Sequence, residues 1–207
     1  MQEIDWVLFD VGGVLLDWRV SSAALAEFLE VEHGLLLDTM FNHAPLMNVG
    51  TISPQEGWKR ILADLGKSEH DPQDIILRWR DKKFWLKDTL KLVQELHDAG
   101  YKLSVFSNSW LGLSNDPNES SMPTEMALFT HILDSSKEGL KKPNPAYYDL
   151  AEKTTGASGG SVFFLDDDEP NLVPASERGW HTYHYDMGED RTGLKANTEI
   201  RSKLLGL

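Results

Sequence analysis

Short runs of apolar and β-branched residues recur along the chain, separated by longer stretches with helical periodicity. Each run is bounded by residues that favour turns, such as glycine, proline, asparagine and aspartate, which is typical of strands. The pattern predicts five strands, at residues 5–9, 102–106, 132–133, 161–165 and 181–184.

Helical patterns lead into three of these strands. The first of them places Leu92, Val93 and Leu96 on one face and ends at Gly100, directly before the second strand. Alternating strands and helices predict an α/β protein, with a Rossmann-like parallel sheet covered by helices on both faces. Folds of this class bind ligands at the carboxyl ends of their strands. The three patterns cover residues 90–99, 145–153 and 171–178.

One stretch interrupts the alternation. Residues 16–88 show helix signals and little strand signal, including a pattern at 21–30 and two starts in which Ser53 and Asp71 precede a proline. We therefore expect a core formed by residues 1–15 and 89–207, with residues 16–88 as a small helical insert. The longest predicted loop covers residues 109–123 and follows the second strand.

Composition narrows the class of protein. The chain has 207 residues, of which 41% are hydrophobic, and its mean hydropathy is -0.37. Asp10 interrupts the first apolar run and no basic segment precedes it, so we expect neither a signal peptide nor a membrane span, and a cytoplasmic location. The absence of cysteine excludes disulfides, thiol catalysis and thiolate metal sites. Any metal must therefore be held by oxygen or imidazole ligands.

The charge limits the partners that we expect. The formal net charge of -13 opposes binding to nucleic acid or to an anionic membrane, because a polyanion gains nothing by approaching another polyanion. An acidic surface mainly keeps a protein soluble. The acids are not evenly spread, however, because residues 166–169 form an acidic run directly after the fourth predicted strand.

Chemically useful side chains follow several of the predicted strands. They comprise a carboxylate, a hydroxyl with backbone amides, a lysine between two prolines, and a pair of acids. This set fits phosphoryl transfer through an aspartyl phosphate. Each residue alone has an ordinary structural explanation, such as a turn or a helix start, but their shared position at strand ends argues for one site. The candidates are Asp10, Ser107, Asn108, Lys142, Asp166, Asp167 and Asn171.

In this order the motifs resemble those of the haloacid dehalogenase-like (HAD) hydrolase superfamily, and the resemblance spans the whole chain. Residues 9–14, 105–108, 142–145 and 164–167 match its four motifs. The helical insert is similar to the C1-type cap of the superfamily. The end of the fourth motif resembles glucose-1-phosphatase-like phosphatases and the N-terminal domain of soluble epoxide hydrolases. The resemblance implies a Mg²⁺-dependent phosphatase that acts on a small phosphorylated metabolite.

The resemblance also implies roles for individual residues. Asp10 would be the nucleophile and would bind Mg²⁺ together with the Gly12 carbonyl and Asp167. Asp166 would be either a further ligand or a residue behind the ligands, and Asn171 would orient the acidic loop. Oxygen ligands of this kind suit Mg²⁺, which keeps several waters.

The remaining motif residues would bind the phosphoryl group. The resemblance assigns this role to Ser107 and to the backbone amide of Asn108. Lys142 would pair with both Asp10 and the phosphate, where it offsets negative charge in the transition state.

The chain departs from the pattern of the superfamily at Gly12. Most phosphatases of the superfamily have a second aspartate at this position, which protonates the leaving group and then activates water. Glycine keeps the backbone carbonyl but supplies no proton. General acid–base help is typically worth about 10²- to 10⁴-fold, so its loss favours a substrate with a good leaving group. Two alternatives remain: a 2-haloacid dehalogenase-type hydrolase, or a catalytically weak protein that binds a phosphorylated metabolite.

Residues in and near the insert are candidate substrate contacts. We expect Trp18 to pack in the hinge or in the core of the insert, and Arg19 to be a surface charge. His43 is a candidate for the missing acid because of its pKa near neutrality, although a lone histidine is usually structural or solvated. The candidates are Asp17, Trp18, Arg19, His43 and Asn48.

Overall fold

The computed structural model describes residues 3–189 and 191–207, and within these residues five strands form a parallel sheet. The strands are β1 (Trp6–Phe9), β2 (Lys102–Ser107), β3 (His131–Asp134), β4 (Val162–Asp166) and β5 (His181–His184). Their order across the sheet is β3-β2-β1-β4-β5. The chain runs outward from β1 to β3 and then crosses back to β4, on the other side of β1. The crevice at such a reversal of strand order is where doubly wound folds bind ligands.

Helices cover both faces of the sheet, which confirms the predicted α/β class. Those outside the insert are α5 (Lys87–Asp98), α6 (Ser135–Glu138), α7 (Pro145–Thr155), α8 (Glu169–Glu177) and α9 (Leu194–Leu205). Sequence analysis did not predict α9, which begins after Gly193 without a side-chain cap. Within the described residues, no helix combines the length and the apolarity needed to cross a bilayer.

Two apolar cores explain why β1 is apolar at every position. Val7 and Phe9 point to the larger core, which also contains residues of α5 and α9, whereas Trp6 and Leu8 point to the smaller core beside α7 and α8. Successive side chains of a strand face opposite sides of a sheet, so a strand that is buried on both sides has no polar position. Asp10 is therefore the first charged group that the chain reaches on leaving β1.

Four helices lie between β1 and α5. They are α1 (Trp18–Leu29), α2 (His33–Asn48), α3 (Pro54–Asp64) and α4 (Pro72–Trp79). The structure confirms both predicted proline starts, because Ser53 and Asp71 accept hydrogen bonds from backbone amides of α3 and α4. Sequence analysis did not delimit α2, which begins without a side-chain cap and contains Pro45.

Candidate active site

Three neighbouring strands deliver the candidate residues to one edge of the sheet. Asp10 directly follows β1, while Ser107 and Asp166 are the last residues of β2 and β4. The Asp10 amide donates a hydrogen bond to the Leu165 carbonyl (2.9 Å), which fixes the turn after β1 against β4. One carboxylate oxygen from each of Asp10, Asp166 and Asp167 lies within 4.8 Å of the others.

Lys142 is the buried cation of this cluster. Its Nζ lies 2.5 Å from Asp166 Oδ2 and 3.1 Å from Asp10 Oδ1, and the residue is 1% exposed. Burial alone would lower the pKa of Lys142, but the two carboxylates outweigh burial and raise it. The ammonium therefore stays charged across the physiological pH range.

Asn108 holds the Lys142 loop in place. Its Oδ1 accepts a hydrogen bond from the Lys142 amide (2.8 Å), and its Nδ2 donates to the Lys142 carbonyl (3.0 Å). Sequence analysis assigned only the backbone amide of Asn108 and missed this positioning contact. The two residues are 34 positions apart, so their pairing depends on the fold and not on a local pattern.

Both side-chain oxygens of Asp166 have protein partners. Oδ1 accepts from the Asp168 amide (2.8 Å) and from Asn171 Nδ2 (3.0 Å), while Oδ2 contacts Lys142. The contact with Asn171 agrees with its expected part in orienting the acidic loop. Asp166 is fully buried, so its carboxylate holds the loop and the lysine together.

One carboxylate oxygen of Asp10 is sealed from water. Asp10 Oδ1 is buried and lies 3.1 Å from Lys142 Nζ, its cationic partner in the protein. Burial raises the pKa of Asp10 to about 6, with Lys142 opposing the rise and Asp166 adding to it. A buried carboxylate is costly unless a cation offsets its charge, and Asp10 shares its one ammonium partner with Asp166.

Asp167 packs directly against the turn that follows Asp10. A Cβ at Gly13 would lie 2.0 Å from Asp167 Oδ2, and Gly13 has a φ of +78°, so this position requires glycine. Burial, and then repulsion from Asp10 and Asp166, raise the pKa of Asp167 to about 7. The Gly13 turn thus brings the Asp167 carboxylate close to Asp10.

The donor set fits a hard divalent cation. Three carboxylates face one buried ammonium, so two negative charges remain when all four groups are ionised. Burial and repulsion from the neighbouring carboxylates raise the pKa values of both Asp10 and Asp167. Carboxylate oxygens are the ligands that Mg²⁺ prefers.

The pH dependence of stability tests this charge balance. Above its ordinary pKa of 3.8, Asp167 loses its proton in the unfolded chain but keeps it in the folded protein up to about pH 7. Folding stability therefore falls as the pH rises through this window, and the full cost is present above it. We expect Asp167→Asn to raise the Tm of metal-free protein at pH 8 by roughly 2–8 °C, since 1 kcal/mol shifts Tm by about 2–4 °C in a chain of this size.

The exposed neighbour Asp168 provides the control for this experiment. Asp168→Asn should change the Tm by less than about 2 °C, because surface substitutions rarely change stability by more than ±0.5 kcal/mol. Added Mg²⁺ should stabilise the wild type more than Asp167→Asn. An equal gain for Asp167→Asn at pH 4 and pH 8 would contradict this electrostatic interpretation.

A cleft of about 480 Å³ opens above these carboxylates. Trp18 lines it and also packs against the larger core at the start of α1, in agreement with the expected place in the hinge or the insert core. A Cβ at Gly12 would lie 3.6 Å from Trp18 Cδ1, so the indole packs directly over the glycine. Arg19 and Asn48 also line the cleft.

Two of the candidate contacts have other partners. His43 Nε2 lies 2.8 Å from Asp64 Oδ2 on α3. Asp17 caps α1, accepting from the Arg19 amide (3.1 Å), and its other oxygen lies 3.6 Å from Arg191 Nε. The structure therefore gives His43 and Asp17 structural contacts. His43→Ala should leave the pH profile of turnover unchanged.

Comparisons with known proteins agree with this architecture, although no family model matches the chain. The sesquiterpene phosphatase astK of Aspergillus oryzae is 24% identical over 191 residues, which cover 86% of this chain and 87% of that protein. Bifunctional epoxide hydrolase 2 of Mus musculus is 32% identical over 89 residues, but these represent 42% of this chain and 16% of that protein.

Solved structures share the whole fold. A HAD family enzyme of Bacteroides thetaiotaomicron, in complex with magnesium and inorganic phosphate, is 26% identical over 92% of this chain and 98% of that chain, with a TM-score of 0.64. Three dehalogenase structures with 16–18% identity and TM-scores of 0.62–0.67 show the fold alone. The chain is therefore similar in fold to HAD family enzymes, and its four motifs at the sheet edge resemble those of the HAD hydrolase superfamily.

Proposed function

We propose that this chain is a Mg²⁺-dependent phosphatase that forms an aspartyl phosphate on Asp10. The observation that carries the proposal is the cluster of Asp10, Asp166 and Asp167, whose carboxylate oxygens lie within 4.8 Å of one another beneath an open cleft, with Lys142 3.1 Å from Asp10. The similarity to a named phosphatase over most of both chains supports this assignment. A solved relative that contains magnesium and phosphate supports it independently.

Each polar group at the floor has a role in this reaction. Asp10 attacks phosphorus in line, and the bond from phosphorus to the organic oxygen breaks. The organic group leaves as an alkoxide or phenolate that takes its proton from water, and a second water hydrolyses the aspartyl phosphate to free phosphate and Asp10. Ser107 and the Asn108 amide hold phosphoryl oxygens, and both residues line the cleft. Lys142 remains charged between Asp10 and Asp166, so it offsets negative charge as the transition state forms.

The metal site uses the carboxylates that face the cleft. Asp10, Asp167 and the Gly12 carbonyl would hold Mg²⁺, with waters completing its coordination. Asp166 would support the site without binding the metal, because both of its side-chain oxygens already accept hydrogen bonds from protein groups. When bound, Mg²⁺ would reduce the repulsion between the anionic nucleophile and an anionic substrate.

The helical insert would act as the cap of this site. Residues 16–88 supply one wall of the cleft, and the core residues 1–15 and 89–207 supply the catalytic floor. A wall formed by the insert sets which organic group reaches Asp10. The proposed substrate is a small phosphorylated metabolite.

Dehalogenation is the second candidate, because Gly12 supplies no acid and the fold is shared with dehalogenases. The charge of the site opposes it. Burial and neighbouring carboxylates raise the pKa values of Asp10 and Asp167. A divalent cation would offset this excess of negative charge, whereas the neutral carbon centre that a dehalogenase attacks would not. A third candidate, a protein that only binds phosphate compounds, would gain nothing from a carboxylate beside the bound phosphate.

Two parallel assays separate these functions. We expect hydrolysis of p-nitrophenyl phosphate with Mg²⁺ and its loss in EDTA, with no halide release from 2-haloacids. Halide release that persists in EDTA would overturn the phosphatase proposal. If neither activity appears while inorganic phosphate still raises the Tm, the binding function is favoured instead.

A further inference from the structure

The cleft has a polar floor and mainly apolar walls. Residues 16–88 contribute nine of its lining residues, and seven of the nine are apolar, the exceptions being Arg19 and Asn48. Hydroxyl or charged groups seated against such a wall lose water without gaining enough hydrogen bonds in return. An apolar group gains from the same burial.

The α2 helix presents apolar residues on two faces. Leu36 and Met47 are buried in the larger core, which accounts for one face. Leu37, Phe41 and Ala44 line the cleft at a spacing of four and three residues, and they form a second stripe. Phe41 is 58% exposed, so a large aromatic side chain stands at the mouth of a polar site. A ligand that covers this ring removes apolar surface from water.

Because Gly12 has no side chain, the apolar wall reaches down to the catalytic residues at this position. Trp18 packs 3.6 Å from the point where a Gly12 side chain would begin, and its ring meets Phe41 edge-on, with centroids 6.2 Å apart. Trp79 and Trp110 line the same cleft, and their ring centroids lie 5.4 Å apart. Aromatic surface therefore stands where the usual acid of the superfamily would project.

We infer that the substrate is a phosphate monoester whose organic group is apolar and uncharged, held between Trp18, Phe41 and the Trp79–Trp110 pair. This inference rests on the proposed phosphatase site, because the polar floor fixes which end of the substrate carries the phosphate. It extends that proposal from reaction type to substrate class. It excludes sugar, polyol and amino acid phosphates as preferred substrates.

A matched pair of aryl esters tests the inference. The para-propylphenyl phosphate molecule has the carbon skeleton of O-phosphotyrosine without its ammonium and carboxylate, so their leaving groups are closely similar. We expect kcat/KM to be at least about tenfold higher for the propylphenyl ester. Phe41→Ser should reduce this preference by roughly threefold to tenfold, mainly through KM. Leu35→Ser is the matched control, because Leu35 is 54% exposed on the same helix but does not line the cleft.

Binding measurements keep the inference separate from the phosphatase activity. In Asp10→Asn with Mg²⁺, calorimetry should give a lower Kd for the propylphenyl ester than for phosphotyrosine. Equal Kd values, or a preference for phosphotyrosine, would overturn the inference even if p-nitrophenyl phosphate is hydrolysed. If no ester is hydrolysed, the phosphatase proposal fails, while the two Kd values still decide the substrate class.

Discussion

Asp10→Asn is expected to abolish the Mg²⁺-dependent phosphatase activity while leaving the protein folded. Loss of a nucleophile removes the covalent route, so kcat for p-nitrophenyl phosphate should fall by at least about 10⁴-fold. Folding should survive because Lys142 keeps its contact with Asp166, 2.5 Å away. Removal of a buried carboxylate whose pKa is raised to about 6 should also leave the Tm at pH 8 unchanged or higher.

Asp5→Asn is the matched control for this variant. Asp5 precedes β1, at the amino-terminal ends of the strands and so away from the site. On the surface its Oδ2 lies 2.9 Å from Lys102 Nζ. Its replacement should leave kcat within about twofold, because exposed ion pairs contribute little. Retention of more than a few per cent of wild-type kcat in Asp10→Asn would argue against a covalent role for Asp10.

Asp166→Ala should cause the largest loss of stability. The substitution removes the partner of Lys142 and the acceptor for the Asp168 amide and Asn171 Nδ2. Breaking one side of a buried ion pair typically costs about 3–5 kcal/mol. Reduced repulsion on Asp10 and Asp167 offsets part of this loss, because Asp166 raises the pKa of both. We expect a net decrease of about 2–4 kcal/mol in the free energy of unfolding, measured by urea titration in EDTA.

Asp168→Ala is the control for this experiment. Asp168 lies two residues further along the same loop, is exposed, and makes no side-chain capping contact with α8. Its replacement should change the free energy of unfolding by no more than about 0.5 kcal/mol. A loss below 1 kcal/mol for Asp166→Ala would show that the buried Lys142 contact contributes little to folding.

The sequence was sufficient to predict which strand ends meet. Asp10, Ser107 and Asp166 follow apolar runs, and parallel strands place their carboxyl ends at one edge, so an α/β pattern brings these residues together. The sequence left open whether Asp166 is a further metal ligand, like Asp167, or a residue behind the ligands. Two adjacent acids look equivalent in the sequence, and only the position of Lys142 in the folded protein distinguishes them.

The walls of the cleft were predicted only in part, because the candidate contacts Trp18, Arg19 and Asn48 line it but the apolar residues of α2 were not predicted. The α2 helix lacks a side-chain cap and contains Pro45, so its boundaries and its cleft-facing stripe gave weak local signals. Trp18 packs against the larger core, as expected, and it also lines the cleft, where it was a candidate substrate contact. The position of the Trp18 ring over Gly12 depends on how the insert packs against the turn after β1. This is a tertiary contact, which no local sequence pattern indicates.

The covalent intermediate provides the most direct test of the central claim. Because Gly12 supplies no side chain to activate water, breakdown of the phosphoenzyme is expected to be slow enough for it to accumulate. Acid quenching during turnover of p-nitrophenyl phosphate, followed by mass spectrometry of peptides, should show one phosphoryl group on Asp10 that is absent in EDTA. Turnover without any phosphoryl group on Asp10 at any time, or with the group on another residue, would contradict the account.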